Sequence, residues 1–434
     1  MFLCRKRKSQ RLEFKEMEVK KMDTIQYGPL GYFDLIPVEV IFKIFGVMSV
    51  EDLSLLIITS KAMRNLAELY RMTQESINRL SIPRESIDIT HSQEYYVKHF
   101  RSLGLLMKRS TCLYSTRDRL KTCEIFLRRL DQIRLEVCSR HGKGAGLFCY
   151  GKFISTMLTG WDDHECQRAF RSIQVSSDLV KNMDITLKSS YGQFPRTEMN
   201  LRLFLRKVFL DQYEKQADRA FWLSLMLKPW PIVNQAKLLY LLYGPVCNEE
   251  VMWDVLSFNT PATLDQSTRY LHALAEAIRT MHTHNKQWSE DDVISIVDEL
   301  TSTCMEWLAE NLANLLLFCG TTITVKFMGS KAINGRMCEL GNLVASFCVV
   351  ITKFRYSTSW LVNVIQQVLA IIDSPKERVN FLNHISTTFK DVLAEVAEIR
   401  DDSQGESDFM LVLDAQVEFS KEILSLAFKN MIAQ

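Results

Sequence analysis

Between Leu35 and Leu66, apolar residues recur at helical spacing in three short runs separated by polar breaks. Ile36-Pro37 sets an extended approach, because the residue before a proline is pushed out of the helical region, and Pro37 itself is tolerated at a helix start. Val40, Ile41, Ile44, Phe45 and Met48 then make one broad apolar face. Ser49, followed three places later by Asp52, marks the start of a second helix carrying Leu53, Leu56 and Ile57. A third helix begins near Ser60 and places Met63 and Leu66 beside the others. So short a bundle buries too little apolar surface for independent stability, and such a unit usually leans on a partner.

From His99 onward the pattern is almost continuously helical, with few turn residues. Ser115 with Asp118 opens one helix, and Leu120, Cys123, Leu127 and Leu130 line its face. Ser289 with Asp292 opens another, carrying Val293, Ile296, Val297 and Leu300 at helical spacing, and Ser374-Pro375-Lys376-Glu377 starts a third. Strand-like alternation is rare, Thr321 to Val325 being the best short candidate. Periodicity breaks near Lys188 to Thr197, Ser257 to Ser267 and Arg400 to Asp408, which read as loops, the last acidic and mobile. No repeat consensus recurs, though helix pairs can stack without one. The expected organisation is a disordered basic tail over residues 1–32, the three-helix unit over 33–70, a linker over 71–94 and a helical domain for a partner over 95–434.

Composition narrows the function. Lys and Arg total 53 against 51 Asp and Glu, so global charge selects neither nucleic acid nor an acidic partner. The eleven cysteines contain no C-x-x-C pair, which leaves buried free thiols in a reducing compartment as the expectation. No run reaches the ~20 apolar residues of a membrane span, and Leu340 to Ile351 suits a buried helix. The basic run Arg5 to Lys8 with Arg11 reads either as a nuclear import signal or as a solvated tail, and the expected location is nucleus and cytoplasm.

Candidate chemistry is sparse. Gly146 to Lys152 fits G-x-x-x-x-G-K but lacks the following Ser or Thr, and its middle residues are too bulky to wrap phosphate; Gly142, Gly144 and Gly146 read instead as a turn before a helix. His164-Glu165-Cys166 and the trio His272, His282 and His284 lack metal-ligand spacing. No nucleophile, base and orienting group can be named, so neither catalysis, cofactor nor metal is expected. The basic residues from Lys98 to Arg129 spread over several helical faces and read as solvated surface before a nucleic-acid stripe. Trp222 and Trp230, the latter between Pro229 and Pro231, read as core, with a partner-binding groove as the sharper alternative.

Ile36-Pro37-Val38-Glu39, Ile44-Phe45, Asp52-Leu53 and Ser60-Lys61-Ala62-Met63-Arg64-Asn65-Leu66 together resemble an F-box. The sequence departs from that pattern at Ile36, where leucine is commoner, and at Met63, where many members carry tryptophan. The likeness to the F-box protein family extends through His99 to Arg109, Leu158 to Asp162, Lys228 to Ala236, Asp291 to Leu300 and Phe327 to Arg336. It implies a substrate receptor of an SCF-type ubiquitin ligase, binding the adaptor Skp1 and through it cullin and RING subunits. It also implies a germline role in meiotic chromosome pairing and progression. The adaptor-binding residues it points to are Ile36, Pro37, Glu39, Val40, Ile41, Ile44, Phe45, Asp52 and Leu53. An ordinary three-helix start of a larger domain is the plain alternative for the unit. A non-degradative scaffold for chromosomal proteins is the alternative for the function. The expected fold is all-α: a small three-helix F-box, then a large helical domain, with stacked helix pairs as one arrangement open to it.

Overall fold

The structure is a computed structural model, and it describes residues 28–73, 76, 92–122, 124, 142–258, 267–284, 287–302, 304–398 and 403–432. The basic run at Arg5 to Arg11 and most of the expected linker lie outside the described residues. Among the described residues the fold is all-α apart from one hairpin of two-residue strands, and the chain divides into two compact units, Met1–Ser176 and Ser177–Gln434. The helical region expected as one domain over 95–434 runs across that boundary.

In the first unit a 3₁₀ turn, Gly31–Leu35, leads into α1 (Val38–Val47), α2 (Val50–Leu56) and α3 (Lys61–Arg71). Two longer helices follow, α4 (Gln93–Ser110) and α5 (Lys143–Leu158), and α6 (Asp163–Ser176) closes the unit. α4 packs against α5 and also against α2 and α3, so the small bundle gains the apolar cover it could not supply itself. Gly104 of α4 permits the close approach to α5: a Cβ there would lie 2.7 Å from the Phe153 carbonyl oxygen. The glycine run expected as a turn is mostly helix. Only Gly142, with φ of 87°, turns the chain, while Gly144 and Gly146 lie inside α5.

The second unit runs α7 (Leu179–Lys188), α8 (Pro195–Phe204), a π-helical turn (Leu205–Leu210), α9 (Gln216–Leu227) and α10 (Ile232–Tyr243). The hairpin β1 (Val246–Cys247) and β2 (Glu250–Val251) turns at Asn248 and Glu249, both at positive φ, the geometry of the tight hairpin turn. Then come α11 (Val255–Phe258), α12 (Ser267–His284), α13 (Glu290–Thr301), α14 (Ala309–Cys319), α15 (Thr321–Ile333) and α16 (Met337–Phe354). α17 (Thr358–Ile371), α18 (Pro375–Glu398) and α19 (Ser403–Ile432) end the chain. Helices pack in two rows, α9-α12-α14-α16-α18 and α10-α13-α15-α17-α19, and most are buried chiefly by neighbours in their own row, while α19 also packs on α16 and α18. That is the quasi-linear stacking of helix pairs, in which each repeat contacts only its neighbours.

Two expectations are corrected here, and for Trp222 the core reading holds over the groove alternative. Thr321 to Val325 begins α15 and is not a strand: the Thr324 hydroxyl donates to the carbonyls of Leu316 and Gly320 at 2.8 and 2.9 Å, and Ile323 and Val325 are buried. Tertiary burial overrides the β preference of that short run. Ser403 to Asp408 is the start of α19, so the acidic stretch is helical over those residues. Trp222 is core: its indole lies 5.1 Å from the Phe209 ring and stacks on Tyr213. By length and composition α16 could cross a membrane, yet it packs against α14, α18 and α19, and Leu340, Val344 and Phe347 are fully buried.

Candidate functional site

The first three helices are set by local chemistry. The Asp34 carboxylate accepts from the Leu30 N–H at 2.9 Å and closes the turn ahead of α1. Ser49 caps α2, its Oγ accepting from the Asp52 N–H at 3.0 Å while donating to the Asp52 carboxylate at 2.7 Å. Ser60 caps α3 by accepting from the Met63 N–H at 3.0 Å. These caps fix where the chain bends and therefore which side of each helix faces inward.

The broad apolar face expected on α1 is split. Ile41 and Phe45 are buried, as are Leu53, Ile57, Met63 and Leu66 from the neighbouring helices. Tyr70 of α3 closes this cluster, its ring centroid 5.6 Å from Phe45 and 5.5 Å from Phe42. Val40, Ile44 and Val47 occupy the other edge at i, i+4 and i+7, and are 44%, 36% and 73% exposed. Leu35, 63% exposed, and exposed Pro37 extend that stripe backwards, and Leu55 and Ile58 at the end of α2 are also exposed. The described part of the first unit leaves this surface uncovered.

Of the nine residues expected to bind an adaptor, Pro37, Glu39, Val40, Ile44 and Asp52 reach the surface and Ile36 is half-buried. Ile41, Phe45 and Leu53 are interior, so they shape the face from beneath and do not form it. Asp52 is engaged in capping α2. Leu35, Val47, Leu55 and Ile58 were missed by the sequence reading. Val47 was findable, because it continues the Val40-Ile44 spacing by one further turn.

Arg71 anchors α3 to the next helices: its guanidinium is buried, 3.1 Å from the Glu68 carboxylate and 3.2 Å from the Met107 sulfur. Arg109 of α4 donates to the Ser54 hydroxyl of α2 at 2.7 Å. Burial and a hydrogen bond to Glu68 push the Tyr114 hydroxyl up to about 12, so it stays protonated. Arg119, from the basic segment, lies 4.3 Å from the Trp161 ring and 3.7 Å from Glu165. The basic side chains Arg109 and Arg119 thus serve packing within the unit.

The remaining candidates separate. Gly146 to Lys152 is helical with Gly146, Cys149 and Gly151 buried, so it forms no phosphate loop. His272 stacks on Phe318 at 3.6 Å, His282 is 3.9 Å from Glu290, and His284 pairs with Gln216. Among the described residues no three His, Cys, Asp or Glu side chains gather in a metal-binding group. The eight described cysteines are free thiols. Trp230 is half-buried, and its carbonyl accepts from the Gln235 amide, whose oxygen accepts from the Trp288 indole.

Comparison with known proteins gives a consistent result. A family profile described as FBXO47, ARM repeats, matches residues 175–433, which coincides with the two-row stack of the second unit. The chain is 36% identical over 409 residues to mouse (Mus musculus) F-box only protein 47, covering 92% of this chain and 90% of that protein. It is 35% identical over 416 residues to the human (Homo sapiens) F-box only protein 47, covering 93% and 91%. No solved structure matches.

Proposed function

The chain belongs to the F-box only protein 47 family, and from that premise we propose that it is a non-catalytic substrate receptor that docks on Skp1 through the exposed edge of α1. The observation that carries this reading is the apolar stripe of Val40, Ile44 and Val47 in register along one edge of α1, with exposed Leu35 and Pro37 just ahead of the helix. An amphipathic helix with an uncovered apolar edge is suited to a complementary apolar surface on a partner. The buried Ile41, Phe45 and Leu53 hold α1 and α2 so that this edge keeps its shape.

On this reading the chain makes and breaks no bonds. The stacked second unit holds a client protein while Skp1, cullin and RING subunits bring a ubiquitin-loaded conjugating enzyme close to it. Holding the two together raises their effective concentration by linkage alone. Meiotic chromosome pairing as the setting, and nucleus and cytoplasm as the location, rest on family resemblance and on the basic run Arg5 to Arg11.

The test is co-purification of Skp1 with the full chain carrying Pro37→Ala and Ile44→Asp, checked for folding by circular dichroism. Undiminished Skp1 recovery with the folded double variant overturns the interface. A non-degradative scaffold remains the second reading, favoured by the departures from the F-box pattern at Ile36 and Met63. Recovery of cullin and RING subunits, with client accumulation in meiotic cells lacking the protein, separates the two.

A further inference from the structure

The last helix of the stack, α19, is apolar on two sides. Val412, Ala415 and Phe419 are buried where it packs on α16, α17 and α18. On the far side Met410, Val417 and Leu424 recur every seven residues and are 47%, 53% and 57% exposed. At about 100° per residue this stripe faces directly away from the buried one. A stack of helix pairs ordinarily ends on a polar outer face, whereas this one ends on a heptad-spaced apolar seam, the pattern by which one helix pairs with another.

Shape and charge on the same seam say what would cover it. A shallow groove of about 650 Å³ is lined, among the described residues, by Gln416, Val417, Ser420, Lys421, Leu424 and Ser425. Val417, Ser420, Lys421 and Leu424 stand at i, i+3, i+4 and i+7, the four positions that form the hole of a knobs-into-holes contact, and Ser420 keeps one corner of it small. Beside the seam, Asp414 is exposed and in no ion pair among the described residues. One heptad further on, Lys421 is 72% exposed and reaches only Glu418 of its own helix, at 3.4 Å.

We propose that α19 pairs antiparallel with α19 of a second copy of this chain, about a two-fold axis at Val417. The seam is its own complement about that point. Reversed and laid on itself, Met410 meets Leu424, half-buried Leu413 meets small Ser420, Asp414 meets Lys421, and Val417 meets Val417. Such a contact is isologous, so each pair away from the axis forms twice. A parallel pairing would set Asp414 beside Asp414 and Lys421 beside Lys421, which repulsion disfavours. A partner of another kind would require no such symmetry in this helix. The 30 residues of α19 give about 45 Å of helix, enough for the roughly three to four heptads a paired helix needs. This inference goes beyond the receptor reading and does not depend on it.

Sedimentation equilibrium of the full chain, at concentrations across the micromolar range, is the experiment, and the expected result is a dimer. Val417→Glu sets two carboxylates on the axis and should leave a monomer. Its circular dichroism spectrum should match the wild type, because Val417 is exposed. Asp414→Lys or Lys421→Asp alone should weaken the dimer about tenfold. The two together should restore it, because the swap rebuilds each ion pair with its partners exchanged. Both charged positions are exposed, so these variants decide the matter even if Val417→Glu disturbs folding. A wild-type chain monomeric throughout the range, a dimer that survives Val417→Glu, or a double charge swap no tighter than the single variants overturns the inference. Skp1 recovery from the same preparations reports on α1 alone, so the two readings fail separately.

Discussion

Ile44 and Phe45 are neighbours in sequence about 100° apart round α1, and the core boundary falls between them: Phe45 is 1% exposed against Tyr70, and Ile44 is 36% exposed on the outer edge of α1. One anchors the unit and the other is offered to a partner. Ile44→Asp should therefore leave the circular dichroism spectrum and melting temperature nearly unchanged while abolishing Skp1 co-purification, a loss of at least about 2 kcal/mol if Ile44 is a hot spot. Phe45→Ala should cost about 3–5 kcal/mol of folding stability, as large-to-small changes in cores do. Skp1 loss accompanied by unfolding in both variants, or in neither, would contradict this division.

Gly104 makes the sharpest steric prediction in the first unit. A Cβ at this position would meet the Phe153 carbonyl at 2.7 Å and the Thr156 Cβ at 2.9 Å. Backbone cannot yield as a flexible side chain can, so Gly104→Ala should destabilise the first unit by about 1–3 kcal/mol despite the better helix propensity of alanine. Thermal melting of the full chain measures it. Because α4 packs against α2 and α3 as well as α5, the same variant should also lower Skp1 recovery at temperatures near the melting transition.

Much of this architecture is legible in the sequence, for reasons that differ by element. The capping box at Ser289 and Asp292 is a local interaction, and the structure realises it together with the buried face of Val293, Ile296, Val297 and Leu300. The helix start at Ser374 is equally local. Thr321 to Val325 misleads because its β-branched residues favour a strand until burial against other helices decides the matter. The docking edge is half legible: periodicity puts Val40, Ile41, Ile44 and Phe45 on one apolar face, but only the packing of Tyr70 shows where that face divides.

Asp292 ties two helices through one carboxylate. Its Oδ2 accepts from the Ser289 N–H at 3.1 Å and lies 3.1 Å from the Lys228 ammonium just after α9. The backbone hydrogen bond from Ser289, then that from Lys228, holds the carboxyl below its ordinary value. A depressed folded value adds stability above the unfolded value, near 3.9, that disappears as pH falls through the folded one. Asp292→Ala should cost about 1 kcal/mol at pH 7, as loss of a capping interaction does, and the cost should shrink as pH falls below the unfolded value of about 3.9. Urea titrations at the two pH values check both statements.

Glu310, in the first turn of α14, gives the opposite sign. Burial, opposed by Lys353 and reinforced by Asp408, raises its carboxyl above the usual range. A raised folded value means that the folded state holds the proton more tightly than the unfolded one. Its contribution is complete below the unfolded value of about 4.3 and is lost as pH rises through the folded value. At pH 7, well above the unfolded value, the carboxyl is therefore a net cost to the stack relative to its neutral form, despite its favourable position at a helix N-terminus. Glu310→Gln should raise the melting temperature at pH 7, and the gain should fade as the pH is lowered toward about 4. A scanning calorimetry series on both proteins decides it: an equal gain at both pH values would mean that packing, and not ionisation, sets the cost of Glu310.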